Sequence, residues 1–125
     1  MLKITNTDKA PAAIGPYSQA ISYGSLLFTS GQIPLDPVSG NVTGDNISAQ
    51  AEQVIKNISA VLTANGIDFT KVIKTTCFLA DMGDFAAFNK VDEKYFVSKP
   101  ARSCVAVKQL PKGVLCEIEI VAALE

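Results

Sequence analysis

The sequence predicts an α+β domain in which two helices pack on one face of a mixed β-sheet, and three observations predict it. Apolar residues alternate in short runs near the start, then recur at helical spacing from Ala51 onward. Turn formers divide the chain into the order β-β-β-α-β-α-β-β, with no internal repeat or linker. The last run is apolar on both sides, with Leu115, Val121 and Ala123 alternating with Cys116, Ile118, Ile120 and Ala122. One of those sides needs a cover beyond the two helices, so the pattern predicts self-association.

Each element follows from its residues. Leu2–Thr5 reads as a strand, a Pro/Gly-rich segment follows through Pro16, and Gln19–Tyr23 and Leu26–Ser30 flank Gly24-Ser25 as a hairpin. The stretch 34–46 is a loop of turn formers leading to a helix cap at Asp45 or Asn46. From Ala51, the positions Val54, Ile55, Ile58, Val61 and Leu62 form one apolar stripe, with Glu52, Gln53, Lys56 and Asn57 on the other side. Asn65-Gly66 ends this helix, since glycine takes the left-handed C′ conformation without a Cβ penalty. In 71–80, Val72, Thr76 and Phe78 are expected on one face of a strand and Ile73, Thr75, Cys77 and Leu79 on the other. Asp81 caps a second helix that runs through Phe96, and 100–120 closes the chain as a buried β-hairpin with Lys112-Gly113 at its tip.

Composition narrows the function classes. The chain of 125 residues, 48% hydrophobic and with a net charge of -1, fits one globular domain, residues 1–125. It has no basic excess of the kind that nucleic acid selects, so no nucleic-acid partner is expected. No apolar stretch approaches a membrane span and the start carries no targeting pattern, so the expectation is a soluble protein without a membrane partner. Cys77, Cys104 and Cys116 are an odd set without a secretory signal, which favours free thiols and a cytoplasmic location. Histidine is absent, which removes Ser-His-Asp and Cys-His nucleophiles and His-ligated metals.

Chemistry must then rest on other groups. Arg102 offers a planar fork that matches a carboxylate, and an internal salt bridge to Asp or Glu is the competing reading. Glu117 and Glu119 share one side of the last strand, where they either pair with Lys108 or Lys112 or line a pocket that raises a carboxyl pKa. With a two-residue tip at Lys112-Gly113, Glu117 faces Lys108 and Arg102 lies about 20 Å away. Residues so separated reach one small ligand only from different chains; a register one residue longer would instead put them on opposite faces. Tyr17 follows the turn dipeptide Gly15-Pro16 and either packs in the core or projects into a pocket. Ser30-Gly31 either ends a strand or lets backbone N–H groups approach a ligand. Asn89, among Phe85, Phe88 and Val91, needs a hydrogen-bond partner, and Cys104 is a thiol with no base near it in sequence.

The stretches "APAAIGPYSQA", "FTSGQIP", "KTTCFLADMGDFAAFN" and "PARSCVAVKQLPKG" with "CEIEIVA" together resemble the RidA/YjgF family over essentially the whole chain. The resemblance implies a chorismate-mutase-like α+β fold, assembled as a homotrimer with active sites between subunits. It also implies an enzyme that hydrolyses imine or enamine products of pyridoxal-phosphate dehydratases, such as 2-aminoacrylate, to 2-keto acids and ammonia. In that reading Arg102 holds the substrate carboxylate, the backbone at Cys104 and Gly31 contacts its other end, and Glu117 positions or activates water. Tyr17, Ser30 and Asn89 line the cleft, and no metal or organic cofactor is implied. Two departures stand out: "KYFVSKPARS" is short before the arginine, and Asp92 occupies a position where an aromatic is expected. The alternatives are a regulator that binds small carboxylates without turnover and, less favoured, a ribonuclease or translation inhibitor.

Overall fold

In the computed structural model, which describes Met1–Glu125, the chain forms strands β1 (Leu2–Thr5), β2 (Ala20–Tyr23), β3 (Leu26–Thr29), β4 (Val72–Leu79), β5 (Ala101–Ala106) and β6 (Cys116–Ala123). Helix α1 spans Ile47–Ala64 and α2 spans Phe85–Tyr95. The strands make one mixed sheet in the order β1-β2-β3-β6-β4-β5, with β4 and β5 parallel and every other pair antiparallel.

Both expected helices are present, but α1 begins earlier than its apolar stripe, and α2 begins later than a cap at Asp81 implies and ends one residue short of Phe96. Asn46 is the α1 cap, its side chain accepting from the Ala49 N–H, so the helix starts at Ile47 rather than Ala51. At the far end Gly66 has φ +73, and the Ile67 N–H reaches back to the Leu62 carbonyl. Asp81 caps a short 3-10 turn, Met82–Asp84, that leads into α2. The α1 side read as polar is only partly so: Gln53 and Asn57 are buried. Asn57 donates to the carbonyls of Ile33 and Leu35, which pins the loop after β3 against the helix.

Gly24-Ser25 is the two-residue turn of the β2–β3 hairpin, with Tyr23 opposite Leu26. The closing hairpin, by contrast, does not form. β5 is an edge strand of mostly exposed residues, and β4 lies between it and β6. Lys112 and Gly113 both have positive φ, but they sit in a 3-10 turn of a nine-residue connection, 107–115, that passes the end of β4. The β4–α2–β5 segment explains this: a strand followed by a helix returns parallel beside its predecessor, which fills the place the hairpin partner would need.

The face assignment of β4 also needs one change. A register shift between Val72 and Lys74 turns Ile73 outward, so Val72 joins Thr75, Cys77 and Leu79 on the buried side. That side, with Leu27, Cys116, Ile118, Ile120 and Ala122, packs on α1 and α2 to form the core. The opposite sheet face carries Leu2, Ile4, Tyr23, Leu26, Phe28 and Val105, all exposed, beside Val121 and Ala123. It is the apolar face left open that the two-sided last strand foretells. No helix is long and apolar enough to cross a membrane.

Candidate functional site

The sheet divides the residues singled out above into two groups. Thr75 of β4 is in register with Arg102, and Phe78 of β4 with Glu117. Register partners share a face, and Thr75 and Phe78 are an odd number of residues apart, so Arg102 and Glu117 emerge on opposite faces. Three residues along β4 and two strands across it, their Cα atoms are about 14 Å apart at about 3.3 Å per residue and about 4.8 Å per strand. The separation of about 20 Å expected from a hairpin is therefore corrected, and the separation by face replaces it.

The first group surrounds Glu117. A cleft of about 250 Å³ is lined by Tyr17, Ser30, Gly31, Gln32, Pro111 and Glu117 among others. Tyr17 is 54% exposed and follows a turn in which its own N–H meets the Gly15 carbonyl, so it stands at the rim and not in the core. The Ser30 hydroxyl donates to the Ser18 carbonyl at 2.6 Å and its N–H to the Gln19 carbonyl at 2.9 Å, which fixes one wall. Gly31 leaves room for the Glu117 carboxyl: a Cβ there would lie 1.9 Å from Oε2 of Glu117, so the side chain would have to move. Neither Lys108 nor Lys112 reaches Glu117 or Glu119, so the ion-pair reading of these carboxylates does not hold. Burial first, and then the charge of Glu119, push the Glu117 carboxyl above its ordinary range.

The second group surrounds Arg102. Its Nη1 donates to Asn89 Oδ1 at 2.7 Å and to Asp92 Oδ2 at 3.2 Å, and the guanidinium lies 5.5 Å from the Phe85 ring centre. Asn89 thus has its partner, and the internal salt bridge considered for Arg102 is present, to Asp92. The Nε and Nη2 atoms make no hydrogen bond within the chain, and the side chain keeps 25% exposure. A shallow pocket here is lined by Asn89, Asp92, Glu93, Lys99, Pro100 and Arg102. Cys104, two residues on, shares the face of Arg102 and sits across from Cys77; burial raises both thiols, that of Cys77 to about 12. All three cysteines are free. A neutral thiol so held is a poor nucleophile.

Several positioning residues carry no signal in the sequence. Gln19 is buried, and its amide bonds to the carbonyls of Thr7, Ala10 and Pro11, shaping the segment that carries Tyr17. Gln50 accepts from the Leu115 N–H and so anchors the connection into β6. A glutamine in a loop or on a helix looks the same whether solvated or buried. Asp92 did have a signal, since it lies three residues after Asn89 and four after Phe88 on the inward stripe of α2.

Residues 7–124 match the family model described as Endoribonuclease L-PSP. A Lactococcus lactis protein provisionally named as the regulator AldR is 53% identical over 125 residues, 99% of each chain. Among solved structures, YyfA of Yersinia pestis, described as a protein of the conserved Rid family, superposes with a TM-score of 0.95 at 43% identity, covering 98% of this chain and 99% of its own. The structure of Escherichia coli TdcF with bound serine superposes with a TM-score of 0.92 at 42% identity, covering 97% and 98%.

Proposed function

The chain belongs to the RidA/YjgF family, and from that premise we propose that it is a 2-imino-acid deaminase whose site is completed between neighbouring copies in a trimer. One observation carries the reading: Glu117 is a half-buried carboxyl without a counter-ion, pressed on Gly31 in a cleft sized for a molecule of a few carbons. Such a group can serve as a general base and then as a general acid within one turnover.

The chemistry needs little more. Water adds to the imine carbon of a 2-iminopropionate-type substrate protonated on nitrogen, while Glu117 accepts one of the water's protons, giving a neutral carbinolamine. The same carboxyl then returns that proton to the nitrogen, and as the C–N bond breaks the freed carboxylate takes the hydroxyl proton, so that ammonia and a 2-keto acid leave and the last proton passes to ammonia or solvent. Orientation comes from a charge-assisted contact between the substrate carboxylate and the Nε and Nη2 atoms of Arg102, worth about 1.5 to 3 kcal/mol. Arg102 and Glu117 of one chain face opposite ways, so the arginine belongs to a neighbour seated on the open apolar face, with Asn89 and the backbone at Cys104 beside it. A serine bound to the related TdcF supports a site for small molecules bearing a carboxylate.

The test is release of keto acid and ammonia when the purified protein is added to a dehydratase turning over serine or threonine. A rate no faster than buffer overturns the deaminase reading. The second reading is a regulator that binds small carboxylates without turnover, favoured by the name of the Lactococcus lactis relative and by an arginine already paired with Asp92. An RNA-cleaving role gains no support from a site whose arginine is offset by an aspartate in a chain with a net charge of -1.

A further inference from the structure

Arg102 is contacted by an acid that it only half satisfies. Asp92 is 6% exposed; its Oδ2 takes the bond from Nη1, while its Oδ1 is buried with no hydrogen-bond partner. The groups facing it are Arg102 and Cys104 from β5, Cys77 from β4, Asn89 and Glu93 on its own helix, and Lys99 before β5. None of them donates to Oδ1. Burial outweighs the guanidinium and leaves this carboxyl readier to take a proton than an ordinary aspartate.

We infer that Asp92 competes with an incoming carboxylate for Arg102, so that the anion docks on the Nε–Nη2 edge and its arrival places one proton on Asp92. The inference rests on the carboxylate-holding role proposed for Arg102. Two carboxylates against one guanidinium leave an uncompensated negative charge in a partly desolvated pocket, and protonation removes it. The proton comes from solvent and goes to Oδ1, the oxygen that lacks a donor, while Oδ2 keeps its bond from Nη1. Two consequences follow for the ligand. Affinity for a monocarboxylate falls as pH rises through the Asp92 range, and a second carboxylate on the ligand is disfavoured, because Asp92 and Glu93 already line the pocket.

Calorimetric titration of the intact protein with pyruvate, in pairs of buffers that differ in ionisation enthalpy, tests this. The wild type is expected to take up on the order of one proton per site at the maximum, between an ordinary carboxylate pKa and neutrality. Asp92→Asn is expected to show no uptake and to bind pyruvate about tenfold more tightly at neutral pH. Asp92→Ser serves the same purpose if the amide variant fails to fold. Pyruvate binding that depends on Arg102 but shows no uptake overturns this inference alone, as does uptake that persists without Asp92. Equal pyruvate affinity in wild type and Arg102→Lys overturns both this inference and the role of Arg102 beneath it.

Discussion

Around Glu117 and around Arg102 the protein solves the same problem, a charge kept partly out of water, in opposite ways. Glu117 has no cation near it; a glycine makes room for it, a hydrogen-bonded wall holds the cleft open, and burial raises its pKa. Arg102 has acceptors on one side only, with Asn89 and Asp92 sharing Nη1, a phenylalanine ring beside it, and Nε and Nη2 left without a partner in the chain. In the proposed reading the first region moves a proton and the second holds an anion. Each lacks what the other has, and the sheet sends them to opposite faces.

If that contrast is right, damage to the two regions differs in kind and in size. Glu117→Gln is expected to lower kcat on the coupled imine assay by about 10²- to 10⁴-fold, the usual share of general acid–base catalysis, with KM little changed. A matching loss of substrate-analogue binding would mean that Glu117 is structural. Gly31→Ala leaves the carboxyl in place chemically but displaces it, and a shift of about 1 Å lowers turnover about a hundredfold. Unchanged kinetics in this variant would show that the contact between Gly31 and Glu117 is not used. Arg102→Lys preserves the charge and the pairing with Asp92 yet loses the fork, so kcat/KM should fall by about ten- to a hundredfold through KM as well as kcat.

The smallest effect is on stability. Asp92 has a folded-state pKa above its ordinary 3.8. The folded chain therefore binds this proton more readily than the unfolded chain, and stability is fullest below the ordinary value and declines as pH rises through the raised one. Asp92→Asn should remove that part of the decline in a series of melting curves from acid to neutral pH. A series parallel to the wild type's would place the burial effect elsewhere.

What the sequence discloses follows from how local its cause is. The α1 cap, the Gly66 stop and the Gly24-Ser25 hairpin all arise from residues within a few positions of one another, and all are present. The β5–β6 hairpin fails because its absence is decided by α2, which carries the chain back parallel to β4 before β6 is reached. The residues singled out by their chemistry fall into two clefts: Tyr17, Ser30, Gly31 and Glu117 line one, and Asn89 and Arg102 line another. The division between those clefts was not legible, because it depends on the register of β4 against both neighbours, and the acid paired with Arg102 was legible only as an unspecified Asp or Glu.

The claim that the two regions meet only across a subunit boundary is tested most directly by complementation. Glu117→Gln and Arg102→Lys chains, unfolded together in equal amounts and refolded, bring an intact Glu117 region against an intact Arg102 region at about a quarter of the boundaries in a closed ring. The account predicts recovery of about a quarter of wild-type deaminase turnover from two preparations that are each nearly inactive. A mixture no more active than the better of the two parents, with mixed assemblies verified by mass, would contradict it.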